Sequence, residues 1–219
     1  MIAALALLAV AAADPQAAAA FRAAFGRSGS VILRRQGPMQ ETVKYTSGRL
    51  IEAPFGPVLI SEGKVLEPAH ASSGKIAAVY LKRSPRGFAV LKSFVPATES
   101  GSFGILEGWA VSRAYGPLPV VAVSGGGTWQ GYTCGVTTLL ELAPDKPKEL
   151  VTVALYYDDA GTVTKGKRAT TITGRIARIV PGKSFDVIYS GSRHFTERYV
   201  RNGDTYVLPG HAETRMPLC

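Results

Sequence analysis

Residues 193–208 read RHFTERYVRNGDTYVL, and this stretch decides the fold class. Aromatic and β-branched residues fill both ends, and Asn202-Gly203 sits between them. An Asn-Gly pair tolerates the positive φ of a type I′ turn, whose twist matches that of two paired antiparallel strands. The same texture runs backwards to Ser30: short β-branched and aromatic runs are separated by Gly, Pro, Ser and Asn. Strands are predicted over 31–35, 41–46, 58–61, 76–83, 88–94, 106–113, 120–124, 136–142, 150–157, 169–180, 185–190, 194–201 and 205–208. SPRG (84–87), YYDDAG (156–161) and VPGK (180–183) mark turns between them.

Before Ser30, one helix is expected. Asp14 is a good N-cap and Pro15 a good first helical residue; QAAAAFRAAFG then continues to Gly26 as the stop. Phe21 and Phe25 lie four apart and so share a face. The chain therefore reads as all-β, an antiparallel β-sandwich or two packed small β subdomains, with one short N-terminal helix. APDKPKE (143–149) is the best internal boundary. It divides residues 14–148, the helix and a β domain, from 149–219, a small β subdomain of SH3-like size or a part of the same sheet system.

Residues 1–13, MIAALALLAVAAA, have the apolar run and Ala-x-Ala end of a secretory signal peptide, though without the usual Lys or Arg at the start. This run is too short for the roughly 20 apolar residues that span a bilayer. Export to the periplasm or the medium is expected, with no transmembrane segment after cleavage. In an oxidising compartment the two cysteines, Cys134 and Cys219, are expected to form a disulfide that ties residue 219 back to the Gly-rich segment.

The formal net charge is +9, and most of it is local. Between Lys165 and Arg201 stand Lys165, Lys167, Lys183 and six arginines, against Asp186 and Glu197 alone. A basic segment interleaved with aromatics attracts anionic partners. Export makes nucleic acid the wrong partner, and an anionic component of the cell envelope (glycan, lipid or protein) the better one. The binding residues assigned on this reading are Arg175, Arg178, Arg193, Arg198 and Arg201, with Trp129 and Tyr132 as stacking rings.

SGGGTWQGYTCG (124–135) is the other conspicuous segment. It lacks the Gly-Lys-Ser/Thr of a phosphate loop and the GxGxxG of a dinucleotide turn. If it were extended throughout, Thr128, Gln130, Tyr132 and Cys134 would share one side, with Trp129, Gly131 and Thr133 on the other. The bland reading packs Trp129 or Tyr132 in the core, the glycines permitting a turn. CGVTTLLEL (134–142) resembles the Cys-Gly start of the first helix of papain-like and bacteriocin-processing cysteine peptidases. That resemblance implies Cys134 as nucleophile, Gln130 as oxyanion donor, and His194 and Asp204 as the remaining partners, while Val136, Thr137 and Thr138 favour a strand instead. His70, His194 and His211 are too scattered for a metal site, and no cofactor is expected. The sequence thus leads to an exported, non-catalytic envelope protein binding an anionic partner, the alternative being a secreted hydrolase of cysteine-peptidase type.

Overall fold

The structure, a computed structural model, describes residues 14–35 and 40–219. The segment read as a signal peptide lies outside the described residues. Helix α1 (Pro15–Phe25) begins where the capping signal places it: the Asp14 carboxylate accepts a hydrogen bond from the backbone N–H of Gln16 (2.9 Å), and the helix ends at Gly26 in the left-handed conformation. Fourteen strands follow: β1 (Ser30–Arg35), β2 (Glu41–Thr46), β3 (Arg49–Ala53), β4 (Gly56–Leu66), β5 (Gly74–Ser84), β6 (Gly87–Ser100), β7 (Gly108–Ser112), β8 (Val120–Trp129), β9 (Tyr132–Leu142), β10 (Pro147–Asp158), β11 (Thr171–Val180), β12 (Ser184–Gly191), β13 (Phe195–Asn202) and β14 (Thr205–Val207).

All pairings between these strands are antiparallel, in two sheets. The first has the order β1-β2-β4-β5-β6, with β3 on β4; the second runs from β7 to β14 in sequence order, an uninterrupted meander. Residues 143–149 form the hairpin connection and the start of β10, which pairs along β9 inside the second sheet. The helix implied for 134–142 by the cysteine-peptidase resemblance is absent: those residues belong to β9, as Val136, Thr137 and Thr138 favour.

The two sheets pack face to face. Val58 and Ile60 of β4 with Ile76 and Ala78 of β5 meet Val121 and Val123 of β8 and Leu140 and Leu142 of β9. The alternate residues Leu59, Ala77, Val79 and Leu81 are buried on the other side of the first sheet, beneath Ala20 and Phe21 of α1. Strands buried on both faces read as continuous apolar runs rather than alternating ones, which is how β5 appears in sequence. The remainder of the second sheet encloses a third core around Phe185, whose ring stacks on Tyr199 with centroids 5.1 Å apart. The disulfide between Cys134 and Cys219 is formed, with Cα atoms 6.0 Å apart.

Candidate anion-binding face

Strands β11, β12 and β13 are neighbours, and their register decides which basic residues meet. Thr173 lies opposite Ser190, Arg175 opposite Ile188, and Ala177 opposite Asp186; Ile188 and Asp186 in turn lie opposite Thr196 and Arg198. Because side chains alternate along a strand, these residues face away from the core while Phe185, Val187, Tyr189 and Tyr199 point into it. Thus Arg175 and Arg198 share one outer face. Arg178 joins them by a different device. It sits in a register shift between Ala177 and Val180 with φ +48°, a bulge that re-aims its side chain.

Asp186 organises the group. Its Oδ1 accepts from Nε of Arg198 at 2.7 Å, and its Oδ2 accepts from Nη2 of Arg198 at 3.2 Å and Nη1 of Arg178 at 3.1 Å. The two guanidiniums cover the carboxylate, which is only 2% exposed, while remaining 65% (Arg178) and 60% (Arg198) exposed themselves. Hydrogen bonding from Arg198, reinforced by the charges of both arginines and opposed by desolvation, holds the Asp186 carboxyl below the usual carboxylate range. One carboxylate therefore fixes two guanidiniums in place and leaves a surplus positive charge at the surface. Arg175, on the same face, has no ion-pair partner among the described residues.

Along the same face, an open depression of about 670 Å³ is lined by Arg168, Thr171, Thr173, Ser190, Gly191 and Ser192. The Thr171 hydroxyl donates to Asp158 (2.6 Å), and the Ser192 hydroxyl accepts from the Thr171 N–H (3.0 Å). Thr173 and Ser190, a cross-strand pair lining it, have no side-chain hydrogen-bond partner among the described residues. A guanidinium beside free hydroxyls can hold a phosphate, sulfate or carboxylate.

The remaining sequence-assigned arginines lie elsewhere. Arg193 is on the turn between β12 and β13, at the end of this face. Arg201 belongs to the opposite side: its Nε donates to the Gly203 carbonyl (2.7 Å), its guanidinium lies 5.2 Å from the Tyr206 ring centroid, and it approaches Glu141 at 4.0 Å. Arg201 therefore lies apart from the group around Asp186, packing on Tyr206 and capping a hairpin. Arg168, Thr173 and Ser190, absent from the sequence-assigned set, line the depression beside this face. Strand alternation puts Thr173 with Arg175, but their partners are visible only once register is known.

Trp129 and Tyr132 also depart from expectation. Gln130 and Gly131 have φ of +51° and +87° and make the hairpin turn, which resets the alternation. Trp129 pairs with Tyr132, and Thr128 with Thr133, so the two rings share a face. Neither is a core residue; each is 38% exposed. Trp129 folds back over Gly127, where a Cβ would collide with its ring, and stacks on His70 (centroids 5.6 Å apart). Tyr132 leans on Tyr157 at 6.3 Å.

The hydrolase constellation does not assemble. The Sγ of Cys134 is bonded to Cys219, so the reading has no thiolate nucleophile. His194 precedes β13 and Asp204 follows it, so they are separated by the strand's length, roughly 20 Å or more at about 3.3 Å per residue. Asp204 is occupied by Lys148 at 2.8 Å, and Gln130 is a turn residue. Among the described residues, no group of three His, Cys, Asp or Glu is placed to hold a metal ion. No protein-family profile, curated protein or solved structure matches this chain.

Proposed function

We propose that this chain is an exported, non-catalytic binding protein of the cell envelope, and that the outer face of β11–β13 takes an anionic partner through Arg168, Arg175, Arg178 and Arg198. The observation that carries the reading is the organisation of the arginines. Asp186 holds Arg178 and Arg198 in a fixed, outward arrangement, next to an uncommitted Arg175 and a hydroxyl-lined depression that Arg168 borders. Preorganised guanidiniums lose less side-chain freedom when they pair with an anion. The disulfide supports an oxidising compartment.

The test is titration with a soluble sulfated polysaccharide at rising salt. Affinity is expected to fall steeply with ionic strength, and to drop at least about tenfold in Arg168→Ala/Arg175→Ala. Lys82→Ala/Arg86→Ala, two exposed cations of the first sheet, serves as the charge-matched control and should bind like the wild type. Equal losses in both double variants would reduce the effect to net charge and remove this face from the argument.

A further inference from the structure

The end of the second sheet that carries the β8–β9 turn gathers several of the exposed apolar side chains. Phe103, Trp129, Tyr132 and Leu218 are four of the ten large apolar side chains left exposed among the described residues. They form a connected group. His70 stacks on Phe103 (centroids 4.6 Å) and on Trp129 (5.6 Å), Tyr132 is the cross-strand partner of Trp129, and Leu218 lines the same groove as Trp129.

This exposure is held in place. Phe103 has φ +50°, a conformation that a non-glycine residue keeps only when its surroundings impose it. Here they do: the Phe103 N–H donates to the His70 carbonyl (3.1 Å), the Gly104 N–H to the Ser72 carbonyl (2.7 Å), and the Val65 N–H to the Gly104 carbonyl (2.9 Å), while the Ser102 hydroxyl donates to the Gly126 carbonyl (2.9 Å). A braced loop thus presents a phenyl ring to solvent, and contiguous exposed apolar patches mark interaction sites.

Positive charge borders the patch. The 159–170 connection, which carries Lys165, Lys167 and Arg168, is tied to the hairpin turn by the Gly161 N–H donating to the Gly131 carbonyl (3.2 Å). Arg193, on the neighbouring turn, is close enough for its charge to act on Tyr157, the ring on which Tyr132 leans. Asp158, at the end of β10, accepts from the Ala160 N–H and Thr171 hydroxyl, and Asp159 from the Thr170 N–H; both stay negative, and the four cations outnumber them. Behind Trp129, a groove of about 480 Å³ continues the apolar surface over Val136, Ala154 and Leu218; of its bordering carboxylates, Glu99 pairs with Lys75 and Glu149 accepts from Thr152.

We propose that this end of the molecule docks on an anionic lipid bilayer, with Trp129, Tyr132 and Phe103 entering the interfacial layer and Lys165, Lys167, Arg168 and Arg193 meeting the head groups. The proposal rests on the reading of an exported envelope protein above and adds a second surface, which shares Arg168 with the basic face. Tryptophan and tyrosine, with apolar rings and a polar edge, suit the membrane interface, and flanking cations add attraction to anionic lipid. The rings are carried on a hairpin tip and a loop, at the ends of strands, and insertion there leaves the sheet hydrogen bonds intact.

The experiment is vesicle binding by the disulfide-bonded protein, with equimolar phosphatidylglycerol and phosphatidylcholine against phosphatidylcholine alone. Brominated acyl chains read insertion through tryptophan quenching. Trp109→Phe leaves Trp129 as the reporter, because Trp109 and Trp129 are the two tryptophans of the chain. Expected are binding to the anionic vesicles, quenching of Trp129, and at least a tenfold loss of vesicle affinity in Phe103→Ser/Trp129→Ser with binding to soluble sulfated polysaccharide retained. Vesicle binding without quenching, equal binding to both vesicle types, or polysaccharide binding with no vesicle binding would each overturn the lipid assignment while leaving the basic face standing. Binding to neither probe would overturn both.

Discussion

Asp186 shows how a single acid can serve a basic surface. Alone at its place in the sheet, a covered carboxylate would be costly; with Arg198 bidentate and Arg178 alongside, its oxygens are satisfied. Its folded-state pKa is lowered, with the Arg198 hydrogen bond as the largest cause. The unfolded chain therefore takes up the proton first as pH falls. Asp186 contributes its full stabilisation above the ordinary carboxylate pKa of about 4, and that contribution is lost as the pH drops through the lower folded value. Asp186→Asn is expected to cost about 1 to 3 kcal/mol, towards the lower end because both guanidiniums are open to water. Urea denaturation from pH 8 down to pH 3 checks the sign: the gap between wild type and variant should stay level at neutral pH and narrow below about pH 4. A gap that widened on acidification would contradict the assigned role.

At the scale of elements, the β8–β9 hairpin has the most specific backbone requirement. Gln130 and Gly131 both have positive φ, the pattern of a type I′ turn. Gln130→Gly should relieve the first of these, worth about 1 to 2 kcal/mol, against about 0.4 to 1 kcal/mol lost to the freer unfolded chain, and so raise stability slightly. Gly127→Ala should push the Trp129 ring aside, since the new methyl meets the outer edge of that half-exposed ring; a cost under about 1 kcal/mol is expected, with loss of the His70 stack visible in the near-ultraviolet circular dichroism. This hairpin also explains where sequence reading ran out. Alternation running straight through 128–134 places Trp129 and Tyr132 on opposite sides, whereas two turn residues put them opposite each other on one face. Most strands were legible because apolar and β-branched runs end at Gly, Pro or Asn. Strand β3 was not, since Arg49 and Glu52 break its pattern and Ile51 is its one buried residue. The arginine face was half legible: period two pairs Thr173 with Arg175, but the neighbours Asp186 and Arg198 follow from register, and the bulge that recruits Arg178 leaves no mark in composition.

At the scale of the whole molecule, the chain end closes the third core from outside the meander. Glu197, buried, accepts from the Thr214 hydroxyl (2.8 Å) and the Arg215 N–H (2.6 Å); the Arg215 guanidinium lies 4.5 Å from the Phe195 ring centroid, and Met216 is buried in the core. Three residues later, Cys219 is bonded to Cys134 in β9, 85 positions back. The last residues are thus held at β13 by hydrogen bonds and at β9 by a covalent link, and either anchor alone keeps Met216 over the core. Removing the disulfide with Cys134→Ser/Cys219→Ser should cost about 2 to 4 kcal/mol, and Glu197→Gln about 1 to 3 kcal/mol, since it leaves the Arg215 N–H with a weaker acceptor. Their combination should cost more than the two separately. With either anchor present Met216 stays buried, and only with both gone does the segment detach and leave the core uncovered at that position. A double-mutant cycle by urea denaturation measures this coupling directly. Additive costs would mean that the two anchors act on separate parts of the fold and that residues 214–219 do not move as one unit.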